Sequence, residues 1–153
     1  MESESYLQDY GKKLLYSNPE IKQRKIGIIP DYDKFNIKIL EYIIDTCNIF
    51  HIDDYQYSIH NIELTAGEEM KWHVDDGCFI DNKIKYDILN PKYSLIIYHS
   101  TYDDDFRGGK LVFADDYIVK PKYGKYILFN SKEINKVTSV ISGTRKCILV
   151  KFY

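Results

Sequence analysis

From residue 55 onward, the hydrophobic residues of this chain recur with a period of two or in short runs rich in Ile, Val, Tyr and Phe. Alternate side chains of a strand point to opposite faces of a sheet, so this period predicts β-strands. The predicted strands cover residues 55–64, 70–74, 93–99, 110–113, 117–119, 126–129, 136–140 and 146–152. So many short strands in succession indicate a closed or two-layered antiparallel sheet.

The first 54 residues have helical periodicity instead. A first helix is predicted where Leu7, Tyr10, Leu14 and Leu15 recur, although Gly11 weakens it. A second is predicted over residues 33–47, after Asp31 and Asp33 as caps. Helices followed by strands indicate a mainly β jelly roll, or double-stranded β-helix, with N-terminal supporting helices. We expect one domain over residues 1–153, with helical support in 1–54 and the jelly-roll core in 55–153.

Composition narrows the class of protein. The formal net charge is −2, which argues against a nucleic-acid partner held by a general positive field. Cys47, Cys78 and Cys147 are far apart, so we expect free thiols rather than a disulfide framework. No apolar leader or membrane-spanning stretch is apparent, so we expect a soluble, intracellular and cytoplasmic protein without a membrane partner.

The segment from residue 76 to 92 has no clean period, and we interpret it as a long functional loop or lid. Its aromatic residues Phe79 and Tyr86, together with Trp72, are hypothesised to form an apolar wall over a substrate. Ordinary packing is an equally good interpretation of these aromatic residues.

His73 and Asp75 lie two residues apart in WHVDD, at the end of a predicted strand. That spacing brings both side chains to the same face. An imidazole beside a carboxylate supplies two ligands of an octahedral iron site that keeps positions open for a cosubstrate and dioxygen. Arg145 begins the last predicted strand, and its guanidinium can hold a dicarboxylate in a bidentate fork.

The order of these motifs resembles that of the 2-oxoglutarate and Fe(II)-dependent dioxygenases, most closely the prolyl-hydroxylase-like branch. The resemblance covers about residues 57 to 153 and rests on AGEEMKWHVDD, YSLIIYHS, RGGKLVF, PKYGKYILFNS and INKVTSVISGTR. It implies that His73 and Asp75 are catalytic metal ligands. It also implies that Arg145 and Tyr98 bind the distal carboxylate of 2-oxoglutarate.

Two positions depart from the family pattern. Asn135 stands where the family has its second ligand histidine, ten residues before Arg145, and Leu64 replaces a cosubstrate-binding tyrosine. Asn135 either completes a weakened metal site, or water or another histidine fills the position, or catalysis is lost. His60 is the alternative histidine, although local hydrogen bonding explains it better. His99 should point away from the pocket, and His51 lies in a connection.

The resemblance implies Fe(II) and 2-oxoglutarate as cofactors, with ascorbate as a reductant, and dioxygen as a further reactant. The leading hypothesis is an oxygenase that hydroxylates a prolyl or other side chain of a protein or peptide. The alternatives are a catalytically impaired or inactive binding module of the same fold and, with less support, an AlkB-like nucleic-acid demethylase. The sequence does not distinguish a natural asparagine at position 135 from an engineered one.

Overall fold

The structure is a computed structural model that describes residues 2–75, 77–80, 83–86 and 90–153, with only the backbone described at 2–5, 77–80 and 83–86. The helices are α1 (Glu2–Ser17) and α2 (Ile37–Cys47), with short 3-10 turns at Pro19–Ile21 and Ile52–Asp54. The strands are β1 (Lys25–Ile28), β2 (Tyr57–Thr65), β3 (Met70–His73), β4 (Gly77–Ile80), β5 (Lys83–Tyr86), β6 (Tyr93–Tyr98), β7 (Phe106–Gly108), β8 (Leu111–Phe113), β9 (Ile118–Val119), β10 (Lys125–Asn130), β11 (Asn135–Val137) and β12 (Val140–Phe152).

The strands form two principal antiparallel sheets, as the period-two pattern predicted. The major sheet has the order β1-β10-β6-β12-β2, with β7 paired to the first part of β12. The minor sheet has the order β3-β11-β8-β9. Thus β2 and β3 are both edge strands, and the chain passes directly from one to the other. The predicted jelly roll is confirmed.

Alternation along the major-sheet strands divides their side chains between two cores. Ile96, Tyr98, Ile127 and Phe129 belong to the core that also contains minor-sheet residues such as Phe113. Their neighbours in sequence belong to the core formed with α2, which includes Leu40, Ile43, Ile44, Leu95, Ile97, Leu128, Ile148 and Val150. Helix α2 therefore packs on the outer face of the major sheet, which confirms the predicted position of that helix.

The start of α2 differs from the prediction. The helix begins at Ile37, and Asn36 is its N-cap, because the Asn36 side chain accepts a hydrogen bond from the Ile39 N–H at 3.2 Å. Asp31 and Asp33 are therefore not caps, and residue 33 is not helical. Residues 1–54 are also not purely helical, because β1 extends the major sheet along β10. That strand has only four residues and was not predicted.

Helix α1 packs on the outer face of the minor sheet, where Leu7 contacts a small core that includes Trp72, Val112, Ala114 and Ile134. Gly11 makes this close approach possible. A Cβ at position 11 would lie 2.5 Å from the Ala114 Cβ, a distance that side chains do not adopt. The glycine that weakens the helix in sequence is thus required for its packing.

The predicted loop at residues 76–92 contains a β-hairpin in its described part. Strands β4 and β5 pair antiparallel and form a separate two-stranded sheet. The side chains of Cys78, Phe79 and Tyr86 lie outside the described residues, so their predicted roles remain predictions. Of the other cysteines, Cys47 and Cys147 are free and buried, as expected. Within the described ranges, no helix is long and apolar enough to cross a membrane.

Candidate metal and cosubstrate site

His73 and Asp75 lie side by side at the end of β3. The His73 Nδ1 is 2.7 Å from the Lys71 carbonyl oxygen. A carbonyl only accepts hydrogen bonds, so Nδ1 carries a proton. The other ring nitrogen, Nε2, lies 3.2 Å from Asp75 Oδ1. This nitrogen and this carboxylate oxygen therefore face each other across about the distance that adjacent metal ligands have.

The pKa of His73 is raised and that of Asp75 is lowered, because each side chain stabilises the charged form of the other. Burial alone would lower the pKa of His73, but the hydrogen bond and charge of Asp75 outweigh it, and the pKa is raised. Burial alone would raise the pKa of Asp75, but the bonds to His73 and Ser94, with the nearby charge of Lys151, lower it. The Asp75 carboxylate is thus held in its ionised form, which is the form that binds a cation.

Ser94 holds the second oxygen of Asp75 and is itself supported by Ser131, and sequence reasoning missed both serines. Ser94 Oγ donates to Asp75 Oδ2 at 2.8 Å, and Ser131 Oγ lies 2.9 Å from Ser94 Oγ. Ser94 has donated its only proton to Asp75, so Ser131 is the donor to Ser94. Both serines are fully buried. Their only sequence signal is a serine within each of two otherwise apolar segments, YSLIIY and YILFNS.

Asn135 is directly opposite His73 in the minor sheet. It begins β11, and the register pairs it with His73 on one side and Phe113 on the other. The side chain is buried, and its Nδ2 donates to the Glu133 carbonyl oxygen at 3.1 Å. This bond uses the amide nitrogen, so Oδ1 is the atom of Asn135 available to a ligand.

A buried ion cluster supports the turn that leads to Asn135. Arg24 Nε donates to both carboxylate oxygens of Glu133 at 3.0 and 3.1 Å, and its two terminal nitrogens bond Asp115 at 3.1 and 2.8 Å. A further short contact joins Arg24 Nη2 to Glu133 Oε1. The Arg24 guanidinium carbon lies 4.2 Å from the centre of the Phe113 ring. Arg24, Asp115 and Glu133 are called the Arg24 cluster below.

Arg145 is 1% exposed and lies on the inner face of β12. Its Nε donates to the Gly109 carbonyl oxygen at 2.9 Å, and its Nη1 lies 3.6 Å from Cys147 Sγ. Gly109 has a positive φ of 59°, and a Cβ there would lie 2.9 Å from Arg145 Cδ. The absence of a side chain at Gly109 therefore leaves the space in which Arg145 extends.

Two donor atoms beside each other have no partner. Arg145 Nη2 and Tyr98 Oη are buried and make no hydrogen bond within the described part of the chain. The Arg145 guanidinium carbon lies 5.4 Å from the centre of the Tyr98 ring. Burial raises the pKa of Tyr98 despite the opposing charge of Arg145, so the phenol keeps its proton. An unpaired cation and an unpaired hydroxyl donor are what a carboxylate ligand satisfies.

A narrow cavity of about 40 Å³ connects these features. Its polar lining consists of His73, Asp75, Asn135 and Arg145, and its apolar lining consists of Ile62, Met70, Ile96, Leu111, Val137, Cys147 and Leu149. The four polar residues of this lining are distant in the sequence, between positions 73 and 145, and were predicted to act in one site. The structure places them around one cavity. Tyr98 lies against Arg145 and does not line the cavity, which differs from the expectation that both would point into it.

The remaining histidines lie outside the cavity. His60 lies 2.8 Å from Ser58 Oγ through its Nε2, as the local interpretation expected, but it is exposed and is not the core histidine of that interpretation. His99 contacts Tyr32 on the opposite face of β6, and His51 precedes the second 3-10 turn. No group of three or more histidine, cysteine, aspartate or glutamate side chains is arranged to hold a metal among the described residues. Among the described residues that line the cavity, Asn135 is the uncharged polar side chain that accompanies His73 and Asp75.

Trp72 does not contribute to the hypothesised wall over the substrate, and the alternative interpretation of ordinary packing is confirmed for it. It is buried against Leu7 and Val112 in the core under α1. The alternation of β3 explains this, because His73 points into the cavity and its neighbour must point the opposite way. Lys136 covers the Trp72 ring, with Nζ 4.7 Å from its centre.

Comparison with known proteins identifies the class that this fold and cavity define. The profile of the 2OG-Fe(II) oxygenase superfamily matches residues 55–153, and the chain belongs to that superfamily. It is 29% identical over 132 residues to the 2-oxoglutarate and iron-dependent oxygenase domain-containing protein 3 of Xenopus tropicalis, and 29% identical over 99 residues to that of Rattus norvegicus. These matches cover 79% and 61% of this chain. The chain spans only 39% and 29% of those relatives.

Several solved structures share the fold. The viral collagen prolyl hydroxylase of Paramecium Bursaria Chlorella virus-1, in its 2OG complex, superposes with a TM-score of 0.58 at 16% identity, covering 95% of this chain and 88% of that one. A Pseudomonas putida prolyl-4-hydroxylase gives 0.54 at 16% identity, covering 97% and 86%. A Trichoplax adhaerens prolyl hydroxylase in complex with a hypoxia inducible factor peptide fragment gives 0.51 at 15% identity, covering 100% and 79%.

Proposed function

We propose that this chain is an Fe(II)- and 2-oxoglutarate-dependent oxygenase that hydroxylates a side chain of a protein or peptide, with a prolyl residue as the first substrate to test. His73, Asp75 and Asn135 would hold the metal, and Arg145 with Tyr98 would bind the distal carboxylate of 2-oxoglutarate. The observation that carries this proposal is the pair of unpartnered buried donors, Arg145 Nη2 and Tyr98 Oη, beside a cavity that the metal-ligand pair also lines.

The facing atoms of His73 and Asp75 suit a divalent cation. On cation binding, Nε2 would lose the proton that it shares with Asp75, and the neutral imidazole would then present its Nε2 lone pair beside a carboxylate oxygen 3.2 Å away. Metal bonds of about 2.1 Å at right angles place two ligand atoms about 3 Å apart, so the free geometry is close to that of a bound pair. The Lys71 carbonyl fixes the required tautomer of His73, and Ser94 orients Asp75. When bound, Fe(II) would supply the activation of dioxygen and the oxidation of the substrate.

Arg145 and Tyr98 suit the distal carboxylate of the cosubstrate. A buried donor without an acceptor costs about 1–3 kcal/mol, and more when it is charged. A carboxylate would accept from both groups and also offset the buried charge of Arg145, for which the described residues provide no ion pair. The apolar side chains around the cavity would exclude water from the reacting region.

The proposed peptide substrate is supported by two observations. The chain shares its fold with prolyl hydroxylases, one of them in complex with a peptide fragment. The near-neutral net charge of −2 also disfavours the nucleic-acid alternative. A binding module that holds 2-oxoglutarate without turnover is the second candidate function. Asn135 favours it, because a neutral amide oxygen is a weaker ligand for Fe(II) than an imidazole.

The test of the proposed function compares the chain with its Asn135→His variant. We expect the variant to bind Mn(II) or Fe(II) more tightly and to form succinate from 2-oxoglutarate faster, because it supplies a third strong ligand. Asp75→Ala is the control for metal binding, and Arg145→Ala is the control for calorimetric 2-oxoglutarate binding. If 2-oxoglutarate binds but neither form produces succinate, the binding module is the better description. If Arg145→Ala leaves 2-oxoglutarate binding unchanged, the role proposed for Arg145 is wrong.

A further inference from the structure

The free edge of the major sheet lies beside the cavity. Strand β2 has nine residues and pairs with β12 along its whole length, from Tyr57 opposite Phe152 to Thr65 opposite Thr144. No described strand pairs with its other side. One of its inward-facing residues, Ile62, lines the cavity that His73 and Asp75 also line. An occupant of this edge would therefore lie next to the proposed reaction site.

The backbone groups on this edge follow from the ladder. The Tyr153 N–H donates to the Gln56 carbonyl oxygen at 2.8 Å, just beyond the paired strands. Hydrogen-bonded pairs recur at every second residue of an antiparallel ladder, so the β2 residues that bond β12 are Ser58, His60, Ile62 and Leu64. The alternate residues, Tyr57, Ile59, Asn61 and Glu63, direct their N–H and C=O groups away from β12.

This edge lacks two of the features that usually prevent strand addition. Strand β2 contains no proline, and its pairing with β12 runs in continuous register, although Glu63 places one charge on the edge. Tyr57 and Ile59 are large apolar side chains that are 38% and 45% exposed. A long edge strand of this kind is a template for an additional strand.

We propose that an extended segment of the peptide substrate binds as an antiparallel strand along the free edge of β2, with alternate side chains directed toward the cavity. This proposal rests on the proposed function. Residues that lie opposite each other in a ladder point to the same face of the sheet. A peptide residue opposite His60 or Ile62 therefore faces inward, and one opposite Ile59 or Asn61 faces outward.

The geometry of the added strand is compatible with a proline at the position that faces the cavity. The outward-facing peptide residues bond the free groups of β2, whereas the inward-facing residues point their own N–H groups away from β2. Proline has no N–H and is tolerated in a strand where that group is not needed. An inward-facing position of the added strand therefore accepts proline without loss of a hydrogen bond. An antiparallel peptide can thus present proline to the cavity while its neighbours hold it in place.

The dimensions favour a single strand over a second copy of the chain. Nine residues at about 3.3 Å each give an edge about 30 Å long, and one added strand is about 5 Å wide. That strip covers about 150 Å², far below the roughly 800 Å² per partner of a stable protein interface. A peptide strand needs no more than this strip, because its main-chain hydrogen bonds supply the affinity.

The probe is a pool of nine-residue peptides with proline at the fifth position and the other positions varied. The full-length chain, with Mn(II) and 2-oxoglutarate present, selects binding peptides from the pool. Each selected peptide is then made in two N-methylated forms. Methylation at the fourth and sixth positions removes the N–H groups that face β2, and methylation at the third and seventh is the matched control. We expect at least about tenfold weaker binding in the first form and little change in the second.

Amide exchange and one protein variant provide independent readouts. Bound peptide should slow exchange at Ile59 and Asn61, whereas His60 and Ile62 are already protected in the free chain. Ile59→Pro removes one edge N–H without removing a bond to β12, so it should abolish peptide binding but not Mn(II) or 2-oxoglutarate binding. Ile59→Val is its control.

Four outcomes would overturn the strand-addition proposal. They are equal binding of both methylated forms, unprotected edge amides in the peptide complex, no binding peptide in the pool, and edge amides already protected in a dimer seen by sedimentation. If the unmodified chain binds neither Mn(II) nor 2-oxoglutarate, the proposed function is contradicted instead. The two failures are therefore distinguishable.

Discussion

The Arg24 cluster offers a stringent test of the packing behind Asn135. The Glu133 side chain is fully buried, and Arg24 is 5% exposed. Replacing Arg24 with methionine keeps a long side chain against Phe113 but leaves the Glu133 carboxylate without its cation. Removing one partner of a buried ion pair costs about 3–5 kcal/mol, because the remaining charge stays desolvated. The charge of Asp115 is less destabilised by the loss of Arg24, because Asp115 is partly exposed and keeps its ion pair with Lys22 at 2.9 Å. We expect Arg24→Met to lower the free energy of unfolding by about 3 kcal/mol at pH 7.

The loss should depend on pH in a direction that the pKa values define. Burial raises the pKa of Glu133, and Arg24 opposes that rise. Without Arg24 the Glu133 pKa should rise further, so the folded variant binds a proton more readily than its unfolded state. The stability gained from that proton is present at low pH and is lost as pH rises through the folded pKa. The difference between Arg24→Met and the unchanged chain should therefore be smaller at pH 5 than at pH 8.

Urea unfolding followed by circular dichroism at pH 5, 7 and 8 measures these differences. Glu133→Gln in the Arg24→Met background is the matched control, because it removes the stranded charge and should recover much of the stability. A loss below about 1 kcal/mol at pH 7, or a loss equal at all three pH values, would show that Glu133 is not a desolvated carboxylate in the folded chain.

Three further predictions concern single side chains. Gly11→Ala should reduce stability by about 1–3 kcal/mol in thermal unfolding, because the new Cβ collides with Ala114, whereas a neutral result would mean that α1 shifts freely. Ser94→Ala should weaken Mn(II) binding about 10- to 100-fold by calorimetry, with Ser94→Thr as the control that keeps a hydroxyl, and unchanged affinity would exclude a role for Ser94 in orienting Asp75. Tyr98→Phe should leave stability nearly unchanged without ligand and weaken 2-oxoglutarate binding about tenfold, and unchanged binding would remove Tyr98 from the cosubstrate site.

Much of the fold was predictable because the strands of the two principal sheets are marked by a period of two or by short apolar runs. Strands β6 and β10 are of the second kind, since YSLIIY and KYILFN are buried on both faces. Strands β1 and β7 were missed for a physical reason. No apolar run marks them, because β1 is KIGI, interrupted by a glycine, and β7 is FRG, with a single apolar residue. They pair with the longer strands β10 and β12.

The candidate site was predictable where its chemistry lies in short sequence spacings. His73 and Asp75 are two residues apart, and the motif order placed Arg145 and Asn135. The supporting groups have no such spacing. Ser94 in β6 bonds Asp75, and Ser131 supports Ser94 from the turn after β10. The other members of the Arg24 cluster are separated by 91 and 109 positions from Arg24. Only the folded sheets bring these residues together, so single-sequence reasoning had no signal for them.

The hydrogen bonds of His73 and Asn135 explain why a histidine should function at position 135. His73 Nδ1 bonds the carbonyl oxygen of Lys71, and Asn135 Nδ2 bonds that of Glu133, so each side chain is oriented by the carbonyl two residues before it. A histidine at position 135 can make the same bond through Nδ1, which would leave its Nε2 as the metal ligand, as in His73. The imidazole reaches farther from the backbone than the amide oxygen does. We therefore expect Asn135 to hold an ion less closely than histidine would, while the backbone geometry around both positions already suits an imidazole.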